Sequence, residues 1–344
     1  MASSGFKERL MSEDFRLLPS DEFAHEPDAA TNYNESIYTN AFDRKTGVGG
    51  WMRVGNRVNE GYAEKSVVLY LPDGRIACAF GRPSISTNAV FDADGLKVDI
   101  VEPFRHLRHS YVGEIMVLRD RNMLRDPSTL FEKADRVQAD IVWDHKSSWP
   151  LHGGEPTRDD VRTMYGRDFS RGHFNQHSVV TGHVAIGDER WEMDGFGWRD
   201  HSWGPRYWQN LFIHRLFMAT WPSGKGASLL KIFSPDGIGR SEGALLIDGE
   251  YHDVMDLSVV TDWDDNKEPT RIGIAVRTAT RSERIDVEII TAAPLRNRRK
   301  DGDVTLMSRI VEANARYRWD GEECWGMVEY IERVDDGRLV GWPI

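Results

Sequence analysis

The stretch Asp194-Gly-Phe-Gly-Trp-Arg-Asp-His-Ser-Trp-Gly-Pro-Arg-Tyr-Trp208 gathers carboxylates, an imidazole and several indoles in one short segment. Asp200 and His201 can exchange protons, and Trp198 and Trp203 supply flat apolar walls beside them. Such a set suits proton transfer to and from a sheltered organic molecule. A second candidate group lies in Thr31-Asn-Tyr-Asn-Glu-Ser-Ile-Tyr38, where Glu35 and Tyr38 stand three apart. A carboxyl enclosed beside tyrosines titrates high and can act as a proton donor. Capping and turns use the same residue types, so the residues alone leave both readings open. Among the twelve tryptophans, Trp51, Trp198, Trp203, Trp208 and Trp221 fall where a cavity wall could be. Core packing is the default for each, but together aromatic faces can stabilise a carbocation in a dry cavity.

Other spacings carry less. His173, His177 and His183 would share one face of an unbroken strand, as metal ligands do, but no cysteine or clear carboxylate completes the set and Gly182 interrupts it. Hydrogen-bonded or solvated histidines are the expectation, and no metal is expected. Gly195-x-Gly197 lacks the third glycine and the helix of a dinucleotide fingerprint, and Ser223-Gly-Lys-Gly-Ala-Ser228 lacks the spacing of a phosphate loop. No Gly-x-Ser-x-Gly nucleophile elbow occurs.

The elements that must hold these residues read as strands. Ser66 to Leu71, the turn Pro72-Asp-Gly and Ile76 to Phe80 form a hairpin pattern, which repeats in Leu96 to Val101, Tyr111 to Leu118 and Val137 to Trp143. After a segment rich in Pro, Gly and charge from Ser148 to Arg171, with at most a short helix at Thr157 to Tyr165, strand patterns resume from Ser178 and continue to Val334. Apolar residues at Phe6, Leu10, Met11, Phe15 and Leu18 predict one short leading helix that Pro19 ends. The expected fold is all-β: an N-terminal β domain over residues 1–150, a linker over 151–171 and a C-terminal β domain over 172–344, each an antiparallel barrel or sandwich. If Arg190 to Trp203 is extended, His201 and Trp203 share one face while Trp198 and Asp200 share the other. A bulge at Gly195 or Gly197 would re-aim one of the pair. The expectation is that His201 faces the cavity, with Asp200 supporting it from behind or bonding neighbouring backbone. The alternative is a structural corner in which Asp200 and Arg206 make ion pairs and the tryptophans fill core.

Composition bounds the partners. A net charge of −11 argues against nucleic acid and anionic membrane, and the basic run Arg296-Asn-Arg-Arg-Lys300 is expected to be a solvated loop. Cys78 and Cys324 have no metal-type spacing and are expected to be reduced and buried, which suits a cytoplasmic protein. No apolar run is long enough for a membrane helix, and no signal peptide is expected.

Gly195-Phe-Gly-Trp-Arg-Asp-His-Ser-Trp-Gly-Pro-Arg206 resembles the Asp-His-x-Trp-Gly signature of the lipocalin-like superfamily that contains carotenoid 1,2-hydratase and kievitone hydratase. Gln176-His-Ser-Val-Val-Thr-Gly182, Asn34-Glu-Ser-Ile-Tyr38 and Trp319 to Tyr330 extend the resemblance over most of the chain. It implies two consecutive lipocalin-like (calycin-like) β-barrels with a ligand cavity, no cofactor, and chemistry that adds, removes or moves water and protons on isoprenoid-like molecules. Asp200, His201 and Trp203 match the signature itself; Glu35 and Tyr38 match only its closer relatives.

The resulting expectation is a cofactor-independent hydratase or dehydratase for a tertiary or allylic terpenoid-like alcohol or alkene, monomeric or a small homo-oligomer. His201, Asp200 and Glu35 are the candidate catalytic residues; Tyr38, Trp51, Gln176, His177, Trp198, Trp203, Arg206 and Trp221 are the candidate substrate-binding ones. Glu35 or Asp200 would be the acid and His201 the group that removes or returns the second proton. An isomerase or cyclase acting on an isoprenoid or steroid-like substrate, and a carrier of apolar ligands without turnover, are the alternatives.

Overall fold

A computed structural model describes residues 14–166, 169–208, 211–233 and 237–340. It is 66% strand and 6% helix, too little helix to supply the crossovers of a parallel sheet. The first twelve strands are β1 (Phe15–Arg16), β2 (Tyr33–Asp43), β3 (Val48–Arg57), β4 (Tyr62–Tyr70), β5 (Ile76–Gly81), β6 (Phe91–Ala93), β7 (Leu96–Glu102), β8 (His106–Leu118), β9 (Asp135–Lys146), β10 (His152–Pro156), β11 (Gly172–Ile186) and β12 (Glu189–Pro205). They form one sheet in the order β1-β10-β11-β12-β2-β3-β4-β5-β8-β7-β6. Because β9 pairs with both β11 and β8, the path from β11 through β12, β2, β3, β4, β5, β8 and β9 returns on itself.

That closure gives the strands an inside. Thr39 on β2 and His109 on β8 hydrogen-bond (Oγ1 to Nδ1, 2.9 Å) although half the ring separates their strands along either path. Residues sharing the face of Thr39 therefore point inward. The register pairs Thr39 with Arg199, Ile37 with His201 and Glu35 with Trp203, so all of these belong to that inner face.

The remaining strands are β13 (Ile213–Thr220), β14 (Gly226–Phe233), β15 (Gly239–Ile247), β16 (Glu250–Trp263), β17 (Pro269–Thr278), β18 (Ser282–Asp301), β19 (Val304–Trp319), β20 (Glu322–Asp335) and β21 (Arg338–Leu339). Neighbours in sequence pair in order, and β13 also pairs with β20, which closes an eight-stranded antiparallel barrel. Its interior packs Phe217, Leu229, Leu245, Val311, Val328 and Tyr330. The all-β expectation of two barrel-like units is therefore what the chain adopts.

The compact units are not cut where the sequence suggested. The first runs to Leu69 and adds Ala77–Met116 and Arg136–Arg206; the second takes Tyr70–Ile76, Val117–Asp135 and the chain from Tyr207. Residues 172–205, assigned by composition to the C-terminal domain, thus belong to the first unit, because β11 and β12 find their partners in β9 and β2. The polar segment before them is a long excursion within that unit, and composition cannot tell an excursion from a linker.

Three local expectations also change. The leading helix falls mostly on residues outside those described, and where the chain is described Phe15–Arg16 is an edge strand paired to Glu155 and Pro156. No helix forms over the described residues of Thr157 to Tyr165, and the α-helix among the described residues is α1 (Pro127–Lys133), capped by Asp126, whose carboxylate accepts the Ser128 N–H at 3.1 Å. The basic run at 296–300 lies in β18 rather than in a loop, paired residue by residue with β19. Both cysteines are free and buried, as expected. Among the described residues no helix is long and apolar enough to cross a membrane.

Candidate functional site

β12 carries the motif as an unbroken strand. Its pairing with β11 runs without a register shift from Glu189 to Trp203, and with β2 from Phe196 to Pro205, so no bulge re-aims Asp200 or His201. The glycines serve a different purpose. A Cβ on Gly195 would sit 2.2 Å from the Phe42 carbonyl oxygen, and one on Gly197 2.1 Å from that of Asn40, so both positions let β12 lie close against β2.

Alternation then divides the candidate residues between two faces. On the inner face, His201 Nε2 lies 2.7 Å from Glu35 Oε1, and His25 Nδ1 lies 2.8 Å from the same oxygen. The other carboxylate oxygen, Oε2, accepts the Tyr33 hydroxyl, the His25 backbone N–H at 3.2 Å and, at 3.4 Å, the Asn88 side-chain amide. Glu35 and His201 are fully buried. Around them, the His25 ring stacks on Trp203 with centroids 3.9 Å apart, and Phe91, Phe174 and Trp203 meet the His201 ring edge-on at 5.5–5.6 Å.

The electrostatics follow from this geometry. Burial by itself would raise the Glu35 carboxyl, but hydrogen bonds and charge from His201 and His25 outweigh it and hold the group down at about 2. Burial would likewise lower the His25 imidazole, yet Asp21 and Glu35 bring it up to about 9. Glu35 is therefore a carboxylate, not the high-titrating acid expected of it, because the sequence did not reveal that two imidazoles converge on it. The Glu35 carboxylate accepts from His201 Nε2, which orients the ring and turns Nδ1 away from Glu35. That Nδ1 is buried and has no hydrogen-bond partner among the described residues, whereas His25 Nε2 faces Asp21 Oδ1 at 3.7 Å.

The other face holds Asp200, Tyr38, Trp51, Trp198 and His177. Tyr38 stacks on Trp51 with centroids 5.8 Å apart and meets Trp198 edge-on at 6.1 Å, while Asp200 Oδ2 is 3.3 Å from His173 Nε2. Glu35 and Tyr38 thus part company, since an odd separation on a strand puts side chains on opposite faces. Gln176 is on the inner face but acts as a strut: its amide donates to the Phe104 and Trp149 carbonyls, each at 2.9 Å, and its oxygen accepts from Arg199, itself ion-paired with Glu22. Arg206 follows the strand and donates to Ser202 Oγ at 2.7 Å. Trp221 belongs to the second unit. It fills the apolar core of the second barrel, edge-on to Trp319 at 5.3 Å and Tyr317 at 6.0 Å.

Sequence reasoning missed His25, Tyr33 and Asn88. Tyr33 was legible in principle, since it lies two residues before Glu35 on a strand and so shares its face. His25 carried only the weak signal of a lone imidazole among Asp21, Glu22 and Glu26. Among the described residues, the set of metal-ligating side chains that converges is His25, Glu35 and His201, with ligand atoms within 4.8 Å of one another. The evenly spaced histidines do not form one; His183 Nε2 sits 3.3 Å from Asp140 and His173 serves Asp200.

Residues 18–334 match the model of a family described as a domain of unknown function, DUF7064. The chain belongs to that family. No curated protein matches the sequence. Solved structures similar to this DUF7064 chain include a candidate AttH from Nitrosomonas europaea, at 14% identity and TM-score 0.56 over 94% of this chain and 99% of that one. CghA matches at 12% identity and TM-score 0.56 over 96% and 97% of the two chains. Kievitone hydratase from Nectria haematococca matches at 10% identity and TM-score 0.53 over 86% and 88%. These likenesses bear out the lipocalin-like fold expected from the Asp-His-x-Trp-Gly motif of this DUF7064 chain.

Proposed function

We propose that the protein is a hydratase or dehydratase that works by acid–base chemistry on an uncharged, terpenoid-like tertiary or allylic alcohol or its alkene. The observation that carries this reading is the His25–Glu35–His201 array, with Glu35 and His201 buried and His25 half-buried, beside Trp203, Phe91 and Phe174. His25, an imidazole raised to about 9 whose Nε2 faces Asp21, and His201, whose Nδ1 has no hydrogen-bond partner among the described residues, flank one carboxylate. That is an acid and a base held apart by environment. The fold shared with kievitone hydratase supports the reaction class.

In the dehydration direction, His25 Nε2–H gives its proton to the leaving hydroxyl as the carbon–oxygen bond breaks and water departs. His201 Nδ1 takes a proton from the neighbouring carbon, whose C–H electron pair becomes the alkene. Glu35 stabilises the imidazolium on either side, and the aromatic faces shelter cationic character at carbon. Hydration is the reverse. His25 thus replaces Glu35 and Asp200 as the acid, while His201 keeps the role expected of it.

The test is incubation of the purified protein with linear and cyclic terpenoid alcohols in deuterated water, with mass-spectrometric product analysis. Alkene formation, or alcohol that gains deuterium on carbon, supports the reading, and His201→Ala is expected to abolish it with the fold intact. Rearranged product without water loss would point to an isomerase or cyclase, and binding without product or exchange to a carrier.

A further inference from the structure

Two imidazoles and one carboxylate that converge on a point are also the ligands a zinc ion takes. His25 Nδ1 and His201 Nε2 lie 2.8 and 2.7 Å from Glu35 Oε1, and ligand atoms of the three side chains fall within 4.8 Å of one another. Zinc sits about 2.0–2.2 Å from imidazole nitrogen and carboxylate oxygen, in a tetrahedral arrangement. Its donors are then roughly 3.3–3.5 Å apart, so each of the two contacts has to open by only about half an ångström. Two nitrogens and an oxygen favour zinc over magnesium or calcium, which take oxygen ligands. Three protein ligands leave a fourth position for water.

Each ligand is also held from behind, as metal ligands are. Glu35 turns Oε1 to the imidazoles because Oε2 is taken by the Tyr33 hydroxyl, the His25 backbone N–H and the Asn88 amide. His25 lies on a stretch without strand between the short helical turn Pro19–Glu22 and β2. That stretch is pinned where the Asn88 amide donates to the His25 carbonyl at 2.7 Å and where the His25 ring stacks on Trp203. The other nitrogen of the ring, Nε2, faces Asp21 Oδ1 at 3.7 Å, and a carboxylate behind the imidazole is what a zinc-bound histidine commonly has. Asp21 is fixed in turn, its Oδ2 accepting the Leu18 backbone N–H at 2.8 Å. Phe91, Phe174 and Trp203 orient the His201 ring from its edges. Glu35 and His201 are fully buried but the His25 side chain is 22% exposed, which gives an ion its way in. All of these residues belong to the first unit.

We infer that His25 Nδ1, Glu35 Oε1 and His201 Nε2 form a site for one zinc ion, which shuts off the acid–base array while it is bound. The ion takes a lone pair from each nitrogen. The proton on His25 Nδ1 passes to solvent, leaving Nε2–H towards Asp21, and the proton of His201 moves from Nε2 to Nδ1. That Nδ1 is the atom that takes a proton from carbon in the proposed reaction, so a His201 that holds the ion cannot be the base. The site rests on the geometry of three side chains; only the inhibition rests on the proposed reaction.

Calorimetric titration of the metal-stripped full chain with zinc and with magnesium tests the site, together with X-ray absorption of the zinc-loaded protein. One zinc is expected to bind per chain with a Kd of about 10 µM or tighter, and magnesium is expected not to bind. The absorption spectrum is expected to show two imidazoles and oxygen at about 2.0–2.2 Å from the metal. His25→Gln, a change at a half-buried position outside the strands, is expected to weaken zinc by about a hundredfold or more, since loss of a supporting partner alone costs about 10–100-fold. Weaker binding of zinc by the unaltered chain, equal binding of magnesium, a shell that contains sulfur or six oxygens, or undiminished binding by His25→Gln would each overturn the site. Where a terpenoid alcohol is turned over, one equivalent of zinc is expected to abolish turnover and a chelator to restore it; turnover that persists in the zinc-loaded protein would overturn the inhibition. Absence of turnover with every alcohol would remove the proposed reaction, and the inhibition with it, but not the site.

Discussion

At the scale of single residues, Glu35 organises the site by accepting from its surroundings. One fully buried carboxylate receives two imidazoles and a phenol, which keeps it ionised and fixes which nitrogen of His201 is free. A depressed carboxyl contributes stability above its ordinary value, here 4.5, and that contribution is lost as pH falls towards about 2. A raised imidazole contributes fully below 6.5, and its contribution is lost as pH rises towards about 9. The array therefore stabilises the fold most between pH 4.5 and 6.5, and unfolding midpoints in urea should decline on both sides of that window. Glu35→Gln should cost about 3–5 kcal/mol, as expected when one partner of a buried charged pair is removed, and should flatten the alkaline decline. A midpoint that rises steadily from pH 6.5 to 9 would contradict the His25 assignment. On the activity side, His25→Gln should lower turnover roughly 10²–10⁴-fold, as for a lost general acid. Asp200→Asn, on the other face, should leave turnover within about tenfold of the unaltered chain, and equal losses from the two would sink the proposed division of roles.

At the scale of elements, β12 does most of the positioning. Its inner face presents Arg199, His201 and Trp203 in succession, and β2 on one side and β11 on the other lock the register over its length. A slip by one residue would turn His201 outward and Asp200 inward, so the register itself decides which residue can be catalytic. Gly197 is where this depends on a missing side chain. A Cβ there meets the Asn40 carbonyl at 2.1 Å, and backbone cannot yield as a flexible side chain can. Gly197→Ala is expected to destabilise the protein by about 1–3 kcal/mol and to weaken turnover through the displaced strand. Urea denaturation with an unchanged midpoint would show that β2 and β12 tolerate the added carbon. This much was legible beforehand: a strand, paired glycines, and His201 and Asp200 on opposite faces. The role of the glycines was not, because a bulge and a close approach use the same residue and differ only in what lies opposite.

At the scale of the whole molecule, chain order and spatial order diverge. The second unit draws in Val117–Asp135, and Arg121 and Arg125 from that segment both pair with Glu268, which is 1% exposed. The first unit recruits β11 and β12 from beyond the polar stretch that reads as a linker. A chain trimmed to residues 172–344 should therefore not fold cooperatively. It leaves β12 without β2 and β11 without β9, and it removes both cations from a buried carboxylate, which alone is worth about 3–5 kcal/mol. Near-ultraviolet circular dichroism and a urea transition check this; a sharp, native-like transition in the trimmed chain would restore the boundary at 151–171.

Taken alone, the sequence determined what is local. Period-two alternation specified strands, turn residues separated them, the shortage of helix excluded a parallel sheet, and the spacing of the motif put His201 and Asp200 on different faces. Those properties depend on bonds between near neighbours in the chain, and so a linear string records them. Tertiary structure decided everything that depends on convergence. Glu35 changed from a candidate acid to a carboxylate because His25, ten residues away, and His201, far downstream, meet on one of its oxygens. Trp221 moved from cavity wall to core. Protonation is set by charges and burial within a few ångströms, and only the closed sheet decides which residues come that near.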